Sequence, residues 1–302
     1  MIQFNNEEYQ TLASDLIGDV FYTSTSYRGK ISTLRQYAEI IVRKILDIDP
    51  QEKITLGDKE IKKRIHMLPN YKIVEEAVNK LKKKGNKTTH TQYRGEVTSK
   101  EFDIAIDGLF DLLSYLFISY FEKYKFGTNG SVMFSFSILP PIIRYKVLIF
   151  LYEKYPENIS IIDKLILATL KAFDVETVTK WIEENKESLL QMNAYTEDFN
   201  SKIILQDPNL AEVLRYMAPQ NMYQLCKNKI DQVGTTIRRN GLVYSDFESA
   251  LPYYKQAGRD QGNTLEVQEF NDIMDFLYMG RKERERLCSD SNKFYGSIDI
   301  IE

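Results

Sequence analysis

The chain has 302 residues, of which 43% are apolar and 27% charged, a composition that excludes an intrinsically disordered protein. Its 40 Lys and Arg residues nearly balance 43 Asp and Glu residues, and the net charge of −3 excludes a protein that is basic throughout, though not one with a local basic site. Two cysteines are too few for a disulfide framework, and the first residues lack a signal-peptide pattern, so we expect a cytoplasmic protein. No stretch reaches the roughly 18 uninterrupted apolar residues of a membrane span, so no membrane partner is expected.

Few glycines and prolines indicate a helical protein. The chain has 14 Gly and 8 Pro, whereas a strand-rich fold needs many turns built from these residues. Its 20 Tyr and 16 Phe residues lie mostly at helical rather than alternating spacing. The sequence therefore predicts an all-α fold.

The first strongly patterned helix is predicted at residues 31–46, where apolar residues recur three and four positions apart. Ser32 or Thr33 could cap its start, and Asp47 follows its end. We therefore expect a helix with one buried face.

The opposite face of this helix carries charges of both signs. Arg35, Glu39 and Arg43 follow one another at intervals of four residues. Side chains at this spacing are neighbours on a helix surface. Glu39 is predicted to form a structural ion pair with Arg35 and Arg43.

Three more helices follow before a break in the pattern. Residues 59–67 and 71–84 are predicted as helices, the second ending at Gly85, the usual residue for a left-handed helix terminus. Thr98 and Glu101 have the spacing of a capping box, which starts a long apolar helix. That helix is expected to be the buried centre of a bundle.

A linker is predicted at residues 126–131, where Gly, Thr, Asn and Ser interrupt the apolar pattern. It divides the chain into an N-terminal helical bundle, residues 1–130, and a second multi-helix domain, residues 131–302. Helices of the second domain are predicted at residues 142–155, 160–173, 175–191, 207–216, 219–233 and 265–288.

The segment most suggestive of chemistry is residues 80–94, which contains no acid. Its candidate phosphate-binding cations are Lys82, Lys83, Lys84, Lys87 and Arg94. Asn86 and His90, four residues apart, are the candidate catalytic pair, because an imidazole can accept or donate a proton near neutral pH. The alternative is a solvated helix face, with His90 capping the next helix.

Other candidates are interpreted as structural. His66 has no acid or thiol at metal-ligand spacing and is expected at the surface or in packing. Arg238 and Arg239 are expected in a loop, and residues 281–286 alternate in sign as on an exposed helix face. Both cysteines are expected in helices as core or boundary residues. The chain has two histidines and none of the usual metal or nucleotide motifs, so no metal and no cofactor are expected.

Three motifs in order resemble the HEPN superfamily of helical bundles, in its bacterial Gly-Asn-x-x-x-His branch. The predicted helix of residues 34–46 is similar to that branch's Arg-x-x-x-Glu helix, here Arg35 and Glu39. Gly85-Asn86-Lys87-Thr88-Thr89-His90 matches the signature, and residues 98–121 resemble the helix that packs back across the bundle. The likeness covers residues 27–125.

The resemblance implies a dimer and two possible activities. Many HEPN proteins are metal-independent ribonucleases that use an Arg and a His four to six residues later, with the ribose 2′-hydroxyl as nucleophile. Here Gly85 stands where the Arg-Asn form of the motif has Arg, Lys84 lies six residues before His90, and Arg94 lies after it. Many members of this branch occur in restriction and antiphage-defence proteins.

We therefore expect a defence or toxin–antitoxin type protein whose HEPN-like bundle forms a homodimer and binds a protein partner or RNA, without catalysis of its own. The first alternative is a metal-independent ribonuclease that acts through His90. The second is a nucleotide or anion sensor that uses the loop of residues 82–94.

Overall fold

The computed structural model describes residues 7–49, 51–89, 95–195, 218–257 and 259–284, and only the backbone of residues 7–8 and 83–89. These residues form thirteen α-helices and one π-helix, and no strand beyond an isolated bridge between Asn193 and Asn221. The predicted all-α fold is confirmed for this part of the chain.

The chain divides into two compact units. Residues 1–124 with 258–283 form the first unit, and residues 125–257 with 284–302 the second. The domain boundary was predicted at residue 130, whereas the units change between Tyr124 and Lys125, and a late segment belongs with the first unit.

Seven helices make up the described part of the first unit. They are α1 (Glu7–Ile17), the π-helix (Gly18–Tyr22), α2 (Tyr27–Leu46), α3 (Lys59–His66), α4 (Tyr71–Thr89), α5 (Ser99–Lys123) and α13 (Leu265–Tyr278). Helices α2, α4 and α5 pack against one another, and α13 packs on α5.

The start of α2 lies earlier than predicted. The side chain of Ser26 accepts a hydrogen bond from the backbone N–H of Gly29, so Ser26 is the N-cap, and Ser32 and Thr33 lie inside the helix. Asp47 ends the helix in the left-handed conformation, with φ of 52°. The predicted apolar stripe is confirmed, since it is buried at Ile31, Leu34, Tyr37, Ala38 and Ile41.

Helix α5 is the central helix of the first unit. Thr98 and Glu101 form the predicted capping box at its start. By length and composition α5 could cross a membrane, but 67% of its most apolar window is buried inside the protein. A buried core helix meets the same criterion.

The second unit contains α6 (Gly130–Ser137), α7 (Pro141–Lys154), α8 (Ile159–Ala172), α9 (Val175–Glu184), α10 (Lys186–Gln191), α11 (Met222–Asn240) and α12 (Phe247–Ala257). Helices α7 and α8 form a hairpin joined by four residues, and α8 also packs on α9 and α11. A short connection of this kind makes the two helices antiparallel neighbours.

Asn185 divides the helix predicted at residues 175–191 into α9 and α10. Its side-chain amide donates to the carbonyl of Trp181 and accepts from the hydroxyl of Tyr152. An asparagine that bonds to the preceding turn competes with the helix backbone. The apolar spacing continues across this break and does not reveal it.

Two predictions at helix ends are wrong. Arg238 and Arg239 lie in the last turn of α11, which Gly241 ends with φ of 72°, and not in a loop. Helix α13 ends at Tyr278, and residues 281–284 are not helical. Arg281 is buried and lies over the ring of Phe21.

The remaining predicted segments are placed as follows. The helix predicted at residues 219–233 is α11, which begins after its N-cap Asn221. Helices α1, α6 and α12 were not predicted. Cys226 is buried in α11, as expected. Residues 207–216 and Cys288 lie outside the described residues.

Candidate functional site

Helix α4 carries the first half of the predicted motif. It runs to Thr89, so the prediction that it ends at Gly85 is wrong. A glycine inside a helix costs about 1 kcal/mol relative to alanine, and packing of α4 on α2 and α5 offsets such a cost. Asn86 therefore belongs to the last turn of α4, whereas His90 and Arg94 lie outside the described residues.

The lysines of this segment have different surroundings. Lys80 donates hydrogen bonds of 2.6 Å to Asp107 and to Asp111 of α5. Burial alone would lower the pKa of Lys80, but the two carboxylates outweigh it and raise the pKa. Lys80 therefore joins α4 to α5 and is not a free cation.

Lys82 lies partly exposed on α4, two residues beyond Lys80. The candidate cations Lys83, Lys84 and Lys87 lie in the same helix, with only their backbone described. The structure thus puts four of the five candidate cations, and Asn86, at one end of one helix.

Glu39 lies between Arg35 and Arg43 on α2, and their ion pair stays a prediction. Burial raises the pKa of Glu39, although a hydrogen bond from the Leu56 backbone and the charges of both arginines act in the opposite direction. Arg43 also donates to the carbonyl of Asp49 at 2.9 Å. These residues hold the loop after α2 against the helix.

His66 lies at the end of α3, with its side chain 42% exposed. Its Nε2 lies 2.9 Å from Oε1 of Glu75, which also pairs with Lys62. Hydrogen bonds from His66 and Lys62 lower the pKa of Glu75. His66 thus lies at the surface, as expected, in a pair that joins α3 to α4.

Sequence reasoning missed a group of cations in the second unit. Arg144 of α7 is only 7% exposed, and its Nε and Nη2 atoms have no hydrogen-bond partner among the described residues. Its Cζ lies 5.9 Å from the ring centroid of Tyr244. No sequence signal marks this residue, because the sequence of α7 has the pattern of an ordinary buried helix.

Two lysines of α8 extend this group. Burial, together with the charges of Arg144 and Lys164, lowers the pKa of Lys171 to about 7. Lys164 lies 3.7 Å from Oδ2 of Asp163. The other oxygen of Asp163 accepts a hydrogen bond from Lys229 of α11.

No protein-family model matches this chain, and neither a curated protein nor a solved structure matches it. Among the residues that the structure describes, no group of three His, Cys, Asp or Glu side chains could hold a metal ion.

Proposed function

We propose that this chain is a defence or toxin–antitoxin type protein whose HEPN-like bundle forms a cytoplasmic homodimer and binds RNA without cleaving it alone. The ligand is RNA in this proposal because phosphate is the group that clustered lysines bind. A protein partner is the outcome to pursue if RNA does not bind.

The observation that carries this proposal is the basic end of α4. After Glu76 the helix contains five lysines and no acid, and only Lys80 is described in pairs with carboxylates of α5. Lysine is a flexible point charge, suited to phosphate contacts that do not depend on base sequence. The negative end of the helix dipole also favours lysines at this position.

The path of α4 favours binding over cleavage. Gly85 replaces the motif arginine, and residues 85–89 continue the helix. Backbone N–H groups inside a helix bond to the carbonyl four residues earlier and are not free to hold a scissile phosphate. A lysine cannot supply the bidentate fork of a guanidinium.

RNA binding can be measured by fluorescence anisotropy with a short labelled single-stranded RNA. We expect the triple variant Lys82→Gln, Lys84→Gln, Lys87→Gln to bind about tenfold or more weakly, and its slope of log K against log salt to fall by about 2, at about 0.7 per lost contact. The matched control is Lys59→Gln, Lys63→Gln, Lys72→Gln, three exposed lysines of the same unit. Equal affinity of the two triple variants would contradict the proposal.

The ribonuclease alternative rests on the position of His90, which directly follows the last described residue of α4 and lies four residues after Asn86. Incubation of end-labelled RNA in EDTA with the wild type and His90→Ala distinguishes the two functions. Bound but uncleaved RNA agrees with the proposal. Cleavage by the wild type and not by a folded His90→Ala variant would replace it with the ribonuclease.

A further inference from the structure

The α7–α8 hairpin of the second unit brings Arg144, Lys164 and Lys171 together. Arg144 lies in the first turns of α7 and Lys171 in the last turn of α8. Since the two helices are antiparallel neighbours, these ends lie side by side. Lys164 is seven residues before Lys171, which places both lysines on the same face of α8.

Arg144 is the centre of the group. A buried guanidinium normally makes several hydrogen bonds, because an unsatisfied buried donor is costly. Two of its nitrogen atoms have no partner in the described residues, although the side chain is more than nine-tenths buried. The guanidinium lies over the ring of Tyr244, and this cation–π contact gives those N–H groups no oxygen acceptor.

Described carboxylates contact Lys164 but neither of the other two cations. Among the described residues, neither Arg144 nor Lys171 forms a salt bridge. Asp163, which Lys164 contacts, is already hydrogen-bonded to Lys229. The charges that act on Lys171 are those of Arg144 and Lys164, and both are positive.

We propose that Arg144, Lys171 and Lys164 form a binding site for a small phosphate-class oxyanion, either free phosphate or the phosphoryl group of a nucleotide. The oxyanion accepts hydrogen bonds from the unpartnered atoms of Arg144 and balances the charges of Arg144 and Lys171. The site belongs to the second unit and shares no residue with α4, so it is independent of the proposed RNA contacts.

Calorimetric titration of the full chain with inorganic phosphate tests this site. We expect saturable binding by the wild type, weakened about tenfold or more in Lys171→Met and Arg144→Met. Lys180→Met, an exposed lysine of α9 with 75% of its side chain accessible, is the matched control and keeps wild-type affinity. Absence of phosphate binding by the wild type, or equal binding by all variants, overturns the proposal.

A parallel titration with adenosine monophosphate separates the two sources of the phosphate group. Tyr145 and Phe173 flank the cations in sequence and contact each other at 4.8 Å between ring centroids, with Phe173 46% exposed. Tighter binding of the nucleotide than of phosphate supports a nucleotide ligand, and equal or weaker binding supports free phosphate. Failure of both ligands to bind overturns the site.

The pH dependence supplies a second readout that misfolding cannot imitate. Sulfate is the probe because it stays a dianion from pH 6 to 8. The protonated fraction of Lys171 falls from about nine-tenths at pH 6 to about one-tenth at pH 8. Sulfate affinity is therefore expected to fall by up to about tenfold. Lys171→Arg keeps its charge, and we expect it to bind sulfate with no such fall. A pH profile of the wild type identical to that of Lys171→Arg overturns the role of Lys171.

Discussion

At the scale of single residues, the buried cations show how burial changes chemistry without any change in sequence pattern. Lys171 differs from the exposed Lys180 only in its surroundings, yet burial and two neighbouring positive charges lower its pKa from 10.5 to about 7. Water no longer stabilises the ammonium, and the neighbouring charges of Arg144 and Lys164 repel it. Stability of the second unit should therefore depend on pH through this residue.

We expect the free energy of unfolding to rise with pH between 7 and 9, by up to about 1.4 kcal/mol per pH unit, and to rise less in Lys171→Met. In this window the unfolded chain still holds the proton at Lys171, whereas the folded chain has lost it. Below pH 7 both states hold the proton, and the contribution of this residue becomes constant.

Urea unfolding followed by the fluorescence of Trp181, the single tryptophan, reports on the second unit. The buffers are amine chlorides, which supply no oxyanion to the proposed site. Lys180→Met should keep the wild-type slope with pH. A wild-type slope equal to that of Lys171→Met would mean that Lys171 titrates at its ordinary pKa.

At the scale of elements, the contact between α4 and α5 depends on a glycine. A Cβ atom at Gly108 would lie 3.0 Å from the carbonyl oxygen of Ala77 and 3.0 Å from Cβ of Lys80. The absence of a side chain lets α5 approach α4 closely, and this approach brings Lys80 to Asp107 and Asp111. One small residue thus positions the helix that carries the predicted motif.

Gly108→Ala is expected to lower the free energy of unfolding by about 1–3 kcal/mol, because the added methyl group must push the backbone of α4 away. The measurement is urea unfolding followed by circular dichroism. The matched control is Gly234→Ala in α11, where the new Cβ would meet Cγ2 of Val175 at an ordinary 3.5 Å.

The control substitution Gly234→Ala should not lower the free energy of unfolding. An alanine in a helix interior is favoured over glycine by about 0.5–1 kcal/mol, so Gly234→Ala is expected to be neutral or stabilising. Stabilisation of similar size at Gly108 would show that α4 and α5 can separate without cost.

At the scale of the whole molecule, the late helix α13 completes the N-terminal bundle. Phe270 packs on Phe117 and Tyr120 of α5, at 5.7 and 5.2 Å between ring centroids. Lys123 donates to both carboxylate oxygens of Glu269, at 2.7 and 2.9 Å. The first unit therefore needs residues that lie more than a hundred positions away in sequence.

Phe270→Ala is expected to destabilise the protein by about 3–5 kcal/mol, because it leaves a cavity beside the central helix. The loss is measured by urea unfolding with circular dichroism. Leu265→Ala, at the start of the same helix and 61% exposed, should change stability by less than about 0.5 kcal/mol. Equal effects of the two substitutions would show that α13 does not belong to the core of the bundle.

The sequence by itself determined the helical class and much of the first unit. The spacing of Ile31, Leu34 and Tyr37 predicted the buried face of α2, and Thr98 with Glu101 predicted the start of α5. Both signals are local, since helical periodicity and capping involve residues within one or two turns. The Gly-Asn-x-x-x-His signature could likewise be seen in the sequence, and its activity stays a prediction.

Only the tertiary structure decided where α4 ends and which distant residues meet. Gly85 has the pattern of a helix end, but α4, which packs on α2 and α5, continues to Thr89. Arg144, Lys164 and Lys171 form a group only because α7 and α8 are packed side by side, and α13 joins the first unit only through long-range contacts. Burial and the meeting of distant charges arise from packing, and no short stretch of sequence records them.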